Sequence, residues 1–479
     1  MTPPAPACAA PVDVPVAGRS LDCYGDVVGA ARVRAVRVAA ARLRRALRSG
    51  RVWNVSSTAR GGGVAEMLHV LLPYCRGGGT DARWTVAGGD PAFFEITKRL
   101  CVGLYGSPGD GGPLGAREHS HYRAVSAANA AGLAGRVGPG DVVVLHDPQV
   151  AGLAPHLRGR VARVVWRCHV GSDTLGEHAR RAWAFLRPYL ERVDAFVFSR
   201  REHVPGWIGP ATPVAVIQPS LDPFAAKNAG LDPSLARAVL AVAGIVQGAG
   251  GPVDVPLPGG RATVRRRALV IGEGRLPAEG DPLVAQVSRW DRLKDMLGVL
   301  LAFDEQVDGP ARLVLAGPDV AGVADDPEAA AVLEACRRAW QELPPARRAR
   351  VQLACLPMDD PVENAVMVNA LQRSAAVVVQ KSVAEGFGLT VTEAMWKARP
   401  VVASAVGGIR DQIVDGVHGL LVERPEDLAG CGRAIRSLLA DPAGAAALGR
   451  RAQERVADRF LGDRHLRNWA GLLTGLLEA

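Results

Sequence analysis

A chain of 479 residues exceeds what one hydrophobic core usually supports, so two domains of ordinary size are expected, with room for a third small element. Apolar residues make up 48% of it and charged residues 22%, a globular composition that excludes an intrinsically disordered chain. The net charge of +9 suits a phosphate-bearing ligand, but the basic residues are mostly scattered arginines with short clusters such as RLRRALRSGR and TVRRRAL, and without an aromatic-interleaved basic module nucleic acid is not expected as a partner.

Residues 1–30 read as a loose N-terminal tail. The stretch MTPPAPACAAPVDVPVAG has no basic start, and an aspartate interrupts its weakly apolar run, so it does not read as a signal peptide. The 8 cysteines are irregularly spaced with no C-x-x-C pair, which favours buried reduced thiols in a cytoplasmic protein over a disulfide framework or a zinc site. No membrane span is expected, since LARAVLAVAGIVQG falls short of the ~20 apolar residues required and contains Arg237.

A helix is predicted over 32–49. Short β-rich runs then alternate with helical patterns: RVWNVSS, a helix over 63–76, ARWTVAG, a helix from near Pro91, DVVVLHD, RVVWRCH, a long helix near 175–191, DAFVFSR and PVAVIQPS. Alternation of this kind specifies βαβ units and a parallel sheet covered on both faces, and residues 31–222 are assigned to a first Rossmann-like domain. The pattern degrades into LPGGRATVRRRALVIGEGRLPAEGD, so 223–282 reads as a linker carrying an insertion. It restarts with PLVAQVSRW and runs through ARLVLAG, RVQLACLP, AVVVQKS, PVVAS and GLLVE, defining a second Rossmann-like domain over 283–455. Residues 456–479 read as a C-terminal helix returning to the first domain. The expected fold class is α/β, with two doubly wound Rossmann-like domains facing a central cleft.

In open parallel sheets, ligands sit beyond the carboxyl ends of strands, near helix N-termini. Three positions there stand out. Gly61, Gly62 and Gly63 follow the first strand, where backbone N–H groups can approach an anion, although an ordinary tight turn has the same composition. The strand in VAQVSRW ends at SRWDRLKDM, which places Arg289 and Lys294 in the loop and first turn after it, where the positive end of the helix dipole disfavours cations unless an anion is present. In QKSVAEGFGLTVTEAMWKARPVVAS, Glu385 lies in a glycine-loosened loop and Glu393 inside the next helix. Eight residues of helix span ~12 Å at 1.5 Å per residue, too far for a glycosidase-like pair of carboxylates flanking one bond. The two glutamates are therefore expected to meet different hydroxyl-bearing parts of one long ligand, with N–H groups for phosphate between them.

The spacing of Glu385 and Glu393, with SRWDRLKD, resembles the retaining glycosyltransferases of the GT-B fold, in the large family that contains sucrose synthase. More closely, WNVSSTARGGGVAEMLHVLLPY, GDPAFFEITKRL, WRCHVGSD, VFSR, PSLDPFAAKN, VNALQRSAAVVVQKSVAEGFGLTVTEAMWKARPVVASAVGGIRDQI and DGVHGLLV resemble the trehalose-forming glycosyltransferring synthases, across residues 50–475. The resemblance implies a retaining transfer of glucose from ADP-, UDP- or GDP-glucose to glucose. It assigns Arg289 and Lys294 to the donor diphosphate, Glu393 to the ribose hydroxyls, and Glu385 to the transferred glucose, with Gly386, Phe387, Gly388 and Leu389 beside it. His169 matches the family's histidine near the reacting carbon, and Gly62 and Gly63 would approach the phosphates. For the acceptor, Glu66, Asp90, Lys98, Asp147, Gln149 and Asp173 lie in or near motif loops, although Asp and Gln also serve commonly as caps and turn residues.

No cofactor is expected, and no metal, since no D-x-D lies at a strand end. The resemblance admits a homodimer. Two rivals remain: a trehalose phosphorylase using phosphate and glucose 1-phosphate, and a catalytically silent nucleotide-sugar-binding protein. A dinucleotide-dependent oxidoreductase is disfavoured, because neither sheet begins with the required glycine fingerprint.

Overall fold

The computed structural model describes residues 10–60, 62–320 and 327–479. Its chain divides into two compact units, one from Met1–Ser220 and Phe460–Ala479, the other from Leu221–Arg459.

The first unit holds a seven-stranded sheet in the spatial order Val12–Val14, Ala82–Val86, Val52–Ser56, Val142–His146, Arg163–Cys168, Ala195–Phe198, Val214–Val216. All neighbours are parallel except the first pair. The period of two sorts side chains onto opposite faces. Trp53, Val55, Val143, Leu145, Val164, Trp166, Phe196 and Phe198 enter one core with residues of the helices Pro91–Leu104, Ala116–Leu133 and Glu177–Leu190. Val52, Val142, Val144, Val165 and Val197 enter the other, beneath the helices Gly25–Leu47 and Gly462–Glu478. A sheet buried on both faces needs such near-continuous apolar strands.

The second unit has a seven-stranded sheet in the order Leu269–Ile271, Val351–Leu356, Arg312–Pro318, Leu283–Val287, Val377–Gln380, Val401–Ser404, Leu420–Val422. Only Leu269–Ile271 runs antiparallel to its neighbour. Without that edge strand the order is 3-2-1-4-5-6, the doubly wound arrangement in which a ligand crevice opens where the order reverses. That point lies between Leu283–Val287 and Val377–Gln380, which pair with each other.

Two expectations need correction. Within the supposed tail, Val12–Val14 pairs antiparallel with Ala82–Val86, and helical structure begins at Leu21. A three-residue strand at a sheet edge is too short for alternation to reveal, and only its partner identifies it. Residues 1–9, with Cys8, lie outside the described residues. The supposed linker is part of the second unit. It contains the helix Pro233–Val242, the edge strand Leu269–Ile271 and an antiparallel hairpin, Val253–Leu257 with Gly260–Val264. Gly259, at φ 92°, supplies the turn, and Val255 and Val264 are buried. The buried Glu363 fastens the end of the hairpin by accepting the N–H groups of Arg265 at 2.6 Å and Arg266 at 2.7 Å.

The last helix is tied to the first by Asp463, which is buried and takes both the Nε and the Nη2 of Arg32 at 2.8 Å. Removing one partner of such a pair strands the other without compensation. Asp463→Ala is expected to lower the stability of the first unit by about 2–4 kcal/mol, read from urea unfolding of the full chain. A loss below about 0.5 kcal/mol, the range of ordinary surface substitutions, would show that apolar packing alone seats the helix.

Candidate functional site

In the second unit, both loops at the reversal of strand order carry the residues singled out above. After Leu283–Val287, Asp291 caps a short 3-10 turn, Arg292–Lys294, and Asp295, with φ 46°, caps the helix Met296–Gln306. The turn aims Lys294 across to the neighbouring loop, where its Nζ donates to Glu385 Oε1 at 2.5 Å. Ser382 Oγ donates to the same carboxylate oxygen at 2.9 Å, and Gln380 Nε2 donates to Ser382 Oγ at 2.9 Å. Glu385 is 8% exposed, so its charge is held by these donors and not by water. Buried Lys381 pairs with Asp295, which fixes the foot of the loop.

Arg289 is arranged differently. Its side chain is 64% exposed and, among the described residues, reaches only the nearby Asp291, at 2.6 Å. Exposed ion pairs of this kind are weak, so Arg289 is available to an incoming anion.

The loop Glu385–Gly388 is held by close approach. Gly388, at φ 85°, precedes the helix Leu389–Trp396, with Leu389 as its first residue. Gly407 and Gly408 lie against the backbone, where a Cβ on Gly407 would come within 1.7 Å of the Glu385 carbonyl oxygen and one on Gly408 within 2.5 Å of Phe387 Cα. Gln412 Nε2 donates to the Phe387 carbonyl at 2.5 Å, while its Oε1 accepts from Thr392 at 2.6 Å. Glu393 lies inside the helix, as expected, 6% exposed, with Oε1 3.6 Å from Lys227 Nζ and Oε2 without a hydrogen-bond partner among the described residues. A buried carboxylate oxygen with no donor is the kind of acceptor that a ligand hydroxyl would satisfy. Lys397, behind it, is pulled down to about 7 by burial.

The structure thus joins Lys294 to Glu385 directly and places Gly386, Phe387, Gly388, Leu389 and Glu393 on the same loop and helix. Ser382, Gln380, Gly407, Gly408 and Gln412 were not identified from the sequence. The glycine pair and the glutamine occur together in AVGGIRDQI, and only the closeness of that loop to Glu385 gives them a role.

In the first unit, strand order reverses between Val52–Ser56 and Val142–His146. Gly62, at φ 79°, and Gly63 open the helix Gly62–Gly77 after the first of these strands and are exposed. Gly61 lies outside the described residues. After the second strand, Asp147, at φ 67°, accepts the His169 N–H at 2.6 Å, and burial pushes its carboxyl up to about 7. His169 Nε2 lies 3.0 Å from His146 Nδ1, and His146 Nε2 lies 3.0 Å from Asn54 Oδ1. Arg167 is fully buried, with Nη2 donating to Ser199 at 3.1 Å and with Nε and Nη1 unpartnered among the described residues. Desolvation and the Arg167 charge drive both imidazoles below their ordinary value, His146 to about 3.

The other acceptor candidates are not gathered around His169 by any contact the structure shows. Asp90 caps the helix Pro91–Leu104, accepting the Phe93 N–H at 2.8 Å, and also lies 2.8 Å from His121 Nε2. Asp173 takes Arg200 Nη1 at 3.0 and 3.1 Å. Gln149 Nε2 approaches Cys101 Sγ at 3.5 Å, while its buried Oε1 has no partner among the described residues. Glu66 and Lys98 stand exposed on their helices. Among the described residues, no helix is long and apolar enough to cross a membrane, and seven cysteines carry free thiols.

Residues 54–205 match the family described as trehalose synthase, N-terminal domain, and residues 362–455 match glycosyl transferases group 1. The trehalose synthase of Rubrobacter xylanophilus is 35% identical over 439 residues, covering 90% of this chain and 92% of that protein. The trehalose synthase of Pyrococcus horikoshii is 31% identical over 465 residues, covering 96% and 97%. Among solved structures, the UDP-forming α,α-trehalose-phosphate synthase of Burkholderia vietnamiensis superposes with a TM-score of 0.64 at 15% identity, over 90% of this chain and 98% of that one. That likeness establishes the GT-B fold class.

The buried imidazoles set a pH dependence. His146 and His465, 2% and 1% exposed, have depressed folded-state values. Their contribution to stability is complete above the unfolded value near 6.5 and is lost as pH falls below it, by roughly 1.4 kcal/mol each at pH 5.5. Asp147, raised to about 7, acts oppositely and partly offsets the loss. His465→Gln keeps an acceptor for the Trp469 N–H, which now reaches His465 Nε2 at 2.8 Å. The variant should flatten the stability profile between pH 6.5 and 5 by about one proton, measured as urea midpoints against pH. An unchanged slope would mean that His465 is protonated in the folded state.

Proposed function

The chain belongs to the trehalose synthase family of glycosyltransferases, and from that premise we propose that it is a retaining glucosyltransferase that makes trehalose from a nucleoside-diphosphate glucose and free glucose. The observation that carries the reading is the Lys294–Glu385 pair at the strand-order reversal of the second unit, with exposed Arg289 on the same loop as Lys294. An ammonium and a guanidinium after one strand suit a diphosphate, and a carboxylate after the next suits sugar hydroxyls. Glu393, with one oxygen unpartnered among the described residues, suits the ribose diol.

In the proposed reaction, the bond from the glucose anomeric carbon to the diphosphate oxygen breaks and the bond to the acceptor anomeric hydroxyl oxygen forms on the same face. The acceptor proton passes to the departing diphosphate. Arg289 and Lys294 stabilise the charge that grows on that leaving group, so geometry and electrostatics carry the acceleration without a covalent nucleophile. His169 lies beside the reacting sugar. The same two cations perform the electrostatic task that a divalent metal performs in other phosphate-releasing enzymes.

The full chain incubated with ADP-, UDP- or GDP-glucose plus glucose, without phosphate, is expected to yield a 1,1-linked disaccharide and free nucleoside diphosphate by NMR, at a rate unaffected by EDTA. Turnover only with phosphate or glucose 1-phosphate would assign a phosphorylase, and nucleotide-sugar binding without turnover a sensor. Lys294→Ala should lower kcat by about 100- to 1000-fold, as removal of one donor to a developing oxyanion does. An unchanged rate in Lys294→Ala and Arg289→Ala would refute the diphosphate assignment.

A further inference from the structure

Hydrogen-bond accounting in the first unit assigns a tautomer. Asn54 is buried, and its Nδ2 donates to the Arg83 carbonyl at 3.4 Å, which leaves Oδ1 as the acceptor facing His146. A neutral imidazole carries one N–H and one lone pair. His146 Nε2, 3.0 Å from Asn54 Oδ1, must therefore carry the proton, and His146 Nδ1 must be the lone pair. The 3.0 Å contact from that atom to His169 Nε2 is then a bond donated by His169. The remaining ring nitrogen, His169 Nδ1, is a bare acceptor with no partner among the described residues, on a half-buried side chain at the end of its strand. The two rings lie nearly parallel, 18° apart with centroids 5.3 Å apart. The His169 N–H to Asp147 Oδ1, at 2.6 Å, holds the backbone at the same point. Buried Arg167 penalises protonation of either ring.

We propose that Asn54 and His146 are positioning residues that lock His169 into the tautomer protonated on Nε2, so that Nδ1 accepts a hydrogen bond from a hydroxyl of the sugar undergoing transfer. The part played by the sugar rests on the glucosyl-transfer reading above, whereas the tautomer does not. Such an arrangement makes His169 an acceptor by construction and rules it out as a proton donor to substrate. An imidazole of the other tautomer would present an N–H to the same hydroxyl, and the hydroxyl would have to turn its own hydrogen elsewhere.

The test uses the full chain labelled with 15N-histidine. A long-range 1H–15N spectrum distinguishes the two tautomers, and the signal missing in His169→Asn identifies His169. The wild type should show the Nε2–H form. His146→Asn, whose carbonyl replaces the accepting Nδ1, should retain it, and His146→Leu should convert His169 partly or wholly to the Nδ1–H form. Turnover should fall about 10- to 100-fold in kcat for His146→Leu and Asn54→Leu, the range seen when an orienting outer partner is removed. KM for the nucleotide sugar should change by a smaller factor than kcat, because Arg289, Lys294, Glu385 and Glu393 are untouched, and His146→Asn should recover most of the lost rate.

An Nδ1–H signal in the wild type, or an unchanged tautomer in His146→Leu, would overturn the lock. A shifted tautomer with full turnover would overturn the positioning role. Should His146→Leu fail to fold, the wild-type spectrum still decides the tautomer and Asn54→Leu the rate. If the wild type makes no disaccharide at all, the glucosyl-transfer reading fails, and the spectrum remains the test of the lock.

Discussion

The ion pair between Lys294 and Glu385 is the constraint on which the second unit's site depends. It exists because strand order reverses between the two strands that precede these residues, so their loops diverge to opposite sides of the sheet and leave a crevice. An ion pair in partial burial adds little to stability, since the desolvation of both charges offsets most of their attraction. Its contribution is geometric: it holds an ammonium and a carboxylate at a fixed separation before any ligand arrives. The surrounding groups serve that end. Gln380 and Ser382 continue the hydrogen-bond chain from beneath, and the Gly407–Gly408 turn and Gln412 fix the loop backbone from the side. Preorganisation of this kind reduces the reorganisation required when charge moves in the reaction.

Much of this was legible in the sequence because chemistry and position coincide there. Arg289, Lys294, Glu385 and Glu393 are charged residues immediately after apolar strands or on the helix that follows, and a doubly wound sheet places ligands at such points. What escaped notice depended on contacts between distant segments. Asn54 and His146 sit inside runs that read as ordinary buried strands, and nothing in VWNVS or VVVLH indicates that two polar side chains face each other across 92 residues. The edge strand Val12–Val14 and the hairpin of residues 253–264 were hidden for a related reason. Short strands derive their identity from a partner, and a partner is invisible to a local pattern. The acceptor candidates show the ambiguity of such positions. Asp90 combined a strand-end position with a following proline, and those two features equally specify the helix cap that it forms.

The two units divide the electrostatic work by sign and by protonation. In the second, the carboxylate at the crevice is already matched by an ammonium, and an exposed arginine stands beside it, a charged arrangement suited to a charged ligand. In the first, the residues at the corresponding strand ends are imidazoles, His146 buried and His169 half-buried, whose protonation is disfavoured first by desolvation and then by the charge of buried Arg167. Neutral donors and acceptors of fixed tautomer discriminate hydroxyl orientation without attracting anions. The guanidinium of Arg167 adds to that difference. It is completely buried, with two of its nitrogens unpartnered among the described residues, an arrangement that costs several kcal/mol in isolation. A chain selected for stability alone would replace it with an apolar side chain. The Arg167 charge adds to the desolvation that disfavours protonation of His146 and His169, a contribution that an apolar replacement would remove.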